Sequence, residues 1–294
     1  MNKAITKKKT AKTPFSLRLV RLLYNTLGRL FPVYFGNRAY EQWFTTMRFK
    51  TPAYEMPALN SALKETINVN NLPISVYIWW DKSSEAEKTL LFIHGWTGRG
   101  TQIVNYIKKL NDIGYRVISF DGPAHGDSPG EQTSAMEMTD VVLALDKHYG
   151  KFDAAITHSF GGMILAYTMS LGVKIKRAAL ICPPNNFEII LDNFQRILAL
   201  PDSVMRVVIR KSFVTHGQII RNAVNTTENV KNLNCKGLVL HDEDDIDISW
   251  HSGKEIADAW EGAEFIKTKG LGHRRIIHDK NVISSIIKFL NDAA

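Results

Sequence analysis

Only two cysteines, Cys182 and Cys235, occur in 294 residues, so no disulfide framework is implied. That scarcity suits a reducing compartment, and a cytoplasmic location is the expectation. No apolar run reaches the roughly 20 residues that a spanning helix needs. No Gly-x-Gly-x-x-Gly or Walker loop is present to cradle a phosphate, and no His-Glu-x-x-His pair to hold zinc. Acids are nearly missing from the first fifty positions, which carry eleven Lys/Arg and a single acid, Glu41. The other 26 Lys/Arg face 28 Asp/Glu, so the body is near neutral and the basicity is an N-terminal arm. Such an arm can touch anionic lipid or nucleic acid, or remain a solvated tail. Trp79 and Trp80 sit in a strand-like run and are read as packing rather than base-stacking residues, so no nucleic-acid partner is expected.

What is present is ordinary for a soluble globular chain, with 45% hydrophobic and 22% charged residues. From about residue 72 the pattern alternates strand, turn and helix. Apolar runs predict strands at Ile74–Trp80, Thr89–Ile93, Tyr115–Phe120, Asp153–Thr157, Arg177–Ile181, Gly237–His241 and Glu264–Thr268. Helical stretches fall near 100–113, 133–149, 160–172, 251–261 and 279–291. The alternation predicts an α/β domain with a mainly parallel sheet flanked by helices. The interval 183–235 has no convincing strand. Phe187, Ile190, Leu191, Phe194, Ile197 and Leu198 repeat at helical spacing until Pro201 stops them, and Val204–Phe213 reads as a second helix. This interval is the expected helical cap. The core is then 61–182 with 236–294, and the arm 1–60. Cys182 and Cys235 would lie at opposite ends of neighbouring parallel strands, roughly 15 Å or more apart and out of disulfide range.

Four segments carry chemistry. In Ala154–Gly162 a strand runs into a helix with Ser159 at the junction, a turn that projects the hydroxyl from the sheet edge. Gly161 supplies the small neighbour such a turn needs, whereas Thr157 stands two residues before Ser159. His94-Gly95 ends another strand, and the backbone N–H groups of Trp96 and Phe160 are candidate oxyanion donors. Asp121–Ser128 is a Gly/Pro turn after the next strand. Asp242-Glu243-Asp244-Asp245 and Gly270-Leu271-Gly272-His273 follow the last two strands. The order is Ser, acid, His, each near the C-terminal end of a strand, where open α/β sheets bind ligands. Asp245 is the preferred acid and Asp244 its alternative. His94, His125, His158 and His241 are read as turn and packing residues.

These residues resemble the α/β-hydrolase superfamily over roughly 70–182 and 236–294. Its Gly-x-Ser-x-Gly motif reads Thr157-His158-Ser159-Phe160-Gly161 here, its His-Gly turn is His94-Gly95, and its Gly-x-Gly-His motif is intact at Gly270–His273. Its acid motif, His-Gly-x-x-Asp, aligns with His241–Asp245 and puts Asp242 in the usual Gly place. The resemblance implies an α/β-hydrolase-like fold with a cap and a serine hydrolase of carboxylic or thio-esters. Ser159 would be the nucleophile, His273 the general acid/base and Asp245 its orienting acid. No metal and no cofactor is required, and a small-molecule acyl ester is the implied partner. Phe187, Phe194 and Met205 of the cap are expected to line the acyl pocket. A catalytically silent binding protein and a lipid-facing acyltransferase are the competing readings.

Residues 15–31 form an amphipathic segment. Leu17, Val20, Leu23, Leu27, Leu30 and Phe31 share one face, and Arg18, Arg21 and Arg29 the other. Packing on the hydrolase body as a strap, continuing through Tyr40, Trp43, Phe44 and Phe49, is the preferred destination. A peripheral contact of residues 1–31 with anionic membrane is the alternative.

Overall fold

The computed structural model describes residues 14–80, 88–217 and 219–292. The strands are β1 (Leu63–Val69), β2 (Leu72–Trp79), β3 (Lys88–Ile93), β4 (Tyr115–Phe120), β5 (Ala154–His158), β6 (Arg177–Ile181), β7 (Lys236–Asp242) and β8 (Glu264–Thr268). They form one eight-stranded sheet in the order β1-β2-β4-β3-β5-β6-β7-β8. β1, β2 and β4 pair antiparallel, and every pair from β4 to β8 is parallel. The central runs are apolar because both faces are covered: every residue of β5 and β6 is buried. The order reverses between β3 and β5, the switch point where open α/β sheets place their sites.

The helices are α1 (Phe15–Leu30), α2 (Pro32–Phe44), α3 (Met56–Ser61), α4 (Val104–Asp112), α5 (Ala135–Tyr149), α6 (Phe160–Ser170), α7 (Phe187–Leu198), α8 (Asp202–His216), α9 (Ile219–Ala223), α10 (Thr226–Val230), α11 (Trp250–Ala259), α12 (Gly272–Arg275) and α13 (Lys280–Asn291). Their ends follow local chemistry. Ser134 caps α5 by accepting from the Glu137 N–H, and Asp279 caps α13 by accepting from Asn281 and Val282.

The chain divides into two compact units. The first takes in the N-terminal helices to Trp43 and Asp192–Thr215; the second is Phe44–Leu191 with the chain from His216 onward. In the first unit, α1 and α2 pack on residues of Asp192–Thr215. A Cβ at Gly36 would come within 2.6 Å of Val207 Cγ1, and one at Gly28 within 3.2 Å of Val204. Asn25 donates to the Ala199 carbonyl at 2.8 Å, Arg21 to that of Ile197 at 2.9 Å, and Trp43 lies 4.9 Å from Phe194. The face that α1 buries is centred on Tyr24 and Gly28. This differs from the expected face, since Leu23, Leu27, Leu30 and Phe31 are exposed.

In the second unit, residues 44–55 do run along the sheet domain. Thr46 and Arg48 donate to carbonyls of the Ala124–Gly130 turn. Fully buried Glu55 pairs with Arg99 at 2.7 Å and accepts from Thr101 at 2.6 Å. A buried carboxylate is tolerated because it is paired and fully hydrogen-bonded. The two cysteines are free, Cys182 just past the end of β6 and Cys235 just before β7.

Candidate active site

Ser159 follows β5 and precedes α6, with φ 53° and ψ −121°. This strained left-handed backbone lifts the side chain off the strand and into the crevice. It is locked by the Ser159 N–H donating to the Ile181 carbonyl at 2.8 Å and by Gly162 donating back to the Ser159 carbonyl at 2.9 Å. The turn needs glycine because the α6 backbone crosses the end of β3. A Cβ on Gly161 would overlap the Ile93 carbonyl oxygen and sit 2.9 Å from that of His94. Thr157, standing where a glycine is usual, is fully buried, with its Oγ1 3.4 Å from the ideal Cβ position of Gly162.

Residues far apart in sequence converge on this serine. Ser159 Oγ lies 2.9 Å from His273 Nε2, and His273 Nδ1 lies 2.6 Å from Asp245 Oδ2. With Asp245 as acceptor, the imidazole carries its proton on Nδ1 and leaves Nε2 to accept from the serine. Asp244, one residue earlier, is exposed. Asp245 Oδ1 also accepts from the Asp247 and Ile248 N–H groups, each at 2.9 Å, and His241 Nε2 stands 3.2 Å from Oδ2. Burial pushes the Asp245 carboxyl up, but hydrogen bonds from His241 and His273 and the His273 charge outweigh it, so its pKa is held well below the usual range.

A ring of buried groups supports this trio. Asp242, where glycine is usual, turns its fully buried carboxylate on the loop that carries His273. It accepts from Gly272 N at 2.7 Å, Leu271 N at 3.1 Å, Thr268 Oγ1 at 2.7 Å and Asp244 N at 3.0 Å. Burial alone would raise its pKa; these four donors lower it instead. His158 Nε2 donates to the His273 carbonyl at 2.8 Å from the other side, and burial, reinforced by His273, lowers its pKa to about 3. None of these roles is visible in spacing alone, although His158 and Asp242 sit inside the quoted motifs.

The turn after β3 faces Ser159, with the ideal Cβ position of Gly95 only 3.0 Å from Ser159 Cβ. Trp96, whose ring meets Phe160 edge-on at 5.3 Å, lies in this turn. Phe160 begins α6, and the first N–H groups of a helix have no intrahelical acceptor. Two neutral histidines hold the turn. His94 Nε2 accepts from Gly122 N at 2.9 Å while Nδ1 donates to the Gly95 carbonyl at 2.8 Å. His125 Nε2 accepts from Thr97 N at 3.0 Å while Nδ1 donates to the Pro123 carbonyl at 2.9 Å. Burial lowers their pKa values to about 4 and about 3.

One cluster of ligand-type atoms lies at the site among the described residues: Cys182, His241 and Asp245, within 4.8 Å of one another. Burial, with Asp245 adding to it, pushes the Cys182 thiol well up, which disfavours the thiolate a metal would need. Asp245 Oδ2 already faces His273 and His241. Of the three expected pocket residues, Phe187 and Met205 are buried and Phe194 packs on Trp43.

Known proteins share this framework. Mouse alpha/beta hydrolase domain-containing protein 10 superposes with a TM-score of 0.61 at 17% identity, covering 77% of this chain and 96% of that one. Est1E from Butyrivibrio proteoclasticus, solved with ferulic acid, gives 0.57 at 17% identity over 77% and 96%. These likenesses are of fold. In sequence the chain is similar to lysophosphatidylserine lipase ABHD12 of Gallus gallus, 26% identical over 194 residues, 61% of this chain and 49% of that protein. The same protein of Xenopus tropicalis is 26% identical over 192 residues, 60% and 48% of the two chains. The chain thus spans about half the length of the curated relatives it matches. Residues 88–266, more than half of the chain, match the family described as alpha/beta hydrolase fold, and the chain belongs to that family.

Proposed function

We propose that this protein is a serine hydrolase of carboxylic esters. The observation that carries this reading is the unbroken hydrogen-bonded relay from Ser159 Oγ through His273 to Asp245. A serine hydroxyl is a weak nucleophile until a base takes its proton. In the proposed cycle His273 Nε2 accepts that proton as Oγ bonds to the substrate carbonyl carbon. The carbonyl electron pair moves onto oxygen, which the Trp96 and Phe160 N–H groups receive. Collapse of the tetrahedral intermediate expels the alkoxide, protonated by His273, and leaves acyl-Ser159. Water, deprotonated by the same imidazole, then releases the acid and restores the hydroxyl. Asp245 stays ionised throughout, fixes the tautomer and offsets the charge of the imidazolium.

The similarity to a lysophosphatidylserine lipase supports a lipid-like ester as substrate class, with Phe187 proposed to set acyl preference. The test is labelling of purified protein by a fluorophosphonate, followed by peptide mapping. Stoichiometric modification of Ser159, absent in Ser159→Ala, is expected. A folded protein that resists labelling and leaves p-nitrophenyl esters of every chain length intact would instead be a silent member of the fold.

A further inference from the structure

The outward surface of α1 and of the turn into α2 is apolar and cationic at once. Phe15, Leu19, Leu22 and Leu30 are 81%, 47%, 58% and 71% exposed, and Phe31 and Val33 follow at 59% and 65%. With about 100° between successive residues, Phe15, Leu19, Leu22 and Leu30 share one arc of the helix. The opposite arc, with Tyr24 and Gly28, is the one that packs inward. The leucines of this arc are therefore not spent on a core. Exposed Arg18 and Arg29 border the arc, and residues 14–40 contain no Asp or Glu.

Large apolar side chains exposed together on one arc mark an interaction site. Its cations call for an anionic partner. A second copy docked through the same face would bring arginine to arginine with no acid on the face to pair them. No described helix is long and apolar enough to cross a membrane, so the surface suits lying on a bilayer rather than spanning it. We infer that α1 and the start of α2 form a peripheral docking surface for anionic phospholipid, with the leucine arc at the acyl boundary and Arg18 and Arg29 at the headgroup phosphates. This binding is independent of the chemistry at Ser159.

The test is co-sedimentation of the full chain with vesicles of phosphatidylcholine alone and of phosphatidylcholine mixed with phosphatidylglycerol. Partition is expected to favour the anionic vesicles by about tenfold or more. High salt is expected to weaken it, because the Debye length shrinks. Leu22→Asp with Leu30→Asp should abolish binding, and Arg18→Glu with Arg29→Glu should remove the preference for anionic lipid. All four side chains are exposed, so circular dichroism and the melting temperature should be unchanged. Equal partition onto both vesicle types, or binding indifferent to the leucine substitutions, overturns the inference. So does a dimer in light scattering that those substitutions dissociate while vesicles bind nothing, since the occupant is then a second copy.

Discussion

Asp242 shows how one buried side chain can hold the loop that carries His273 in place. It receives four donors, two of them the backbone amides just before His273. Asn would turn an NH₂ group toward those amides. Asp242→Asn is therefore expected to lower kcat by about tenfold to a hundredfold, with KM little changed, because small misplacements of a catalytic group are that costly. Steady-state kinetics on a short p-nitrophenyl ester, beside a thermal melt, checks this; an equal rise in KM would point to a different role. Removing members of the relay should cost far more. Ser159→Ala or His273→Ala is expected to lower kcat by about 10⁴-fold or more, and Asp245→Asn by less though still several orders of magnitude, since such groups act as a unit. Single-turnover assays at high enzyme concentration measure these residual rates. The trio was legible in the sequence because each member sits in a short motif at a strand end. The supports were not: the bonds of His94, His125, His158 and Asp242 join segments 26 to 115 residues apart, except within their own turns, and no local spacing encodes them.

Among the elements, the parallel strands were read correctly as apolar runs, because burial on both faces leaves little choice of residue. β1 escaped that reading. Its burial alternates, and four of its seven residues are exposed at the sheet edge. The signal that could have found it is Asn70-Asn71, both at positive φ, joining β1 to β2 as a two-residue hairpin. In α1 the leucines occupy two adjoining arcs, and periodicity alone does not say which faces protein. The packing decides through Gly28 and Gly36, which let α1 and α2 approach Val204 and Val207 of α8. Gly36→Ala should therefore destabilise the first unit by about 1–3 kcal/mol through overpacking. Val207→Ala in the same chain should restore part of the loss, because it vacates the contested space. Urea unfolding of the single and double variants reads this coupling; strict additivity would place the cost of alanine elsewhere.

At the scale of the molecule, the buried histidines set a pH limit. The pKa values of His94, His125 and His158 are lowered to about 4, 3 and 3, from an ordinary value of about 6.5. Between those limits the unfolded chain binds protons that the folded one refuses. Stability must then fall as pH falls through this window, by about 1.4 kcal/mol per pH unit for each histidine fully engaged. Asp121, whose carboxyl burial raises, opposes the trend at its acid end. Asp242 and Asp245, held low, add to the loss only below the ordinary carboxylate range. Urea midpoints are expected to be flat above about pH 7.5 and to drop by two to three protons' slope near pH 5. His125→Gln should flatten that slope by about one proton; an unchanged slope would mean that His125 is not the group taking up the proton.

Among the described residues, the strand order also leaves β1 and β8 at the margins of the sheet. Such rims invite strands from other chains and can seed insoluble assemblies. Both carry charge here: exposed Lys64 on β1, and exposed Glu264 and Lys267 on β8. An incoming strand would have to strip water from these ions or find matching partners for them. The hydration of a few side chains thereby discourages the sheet from growing at either margin.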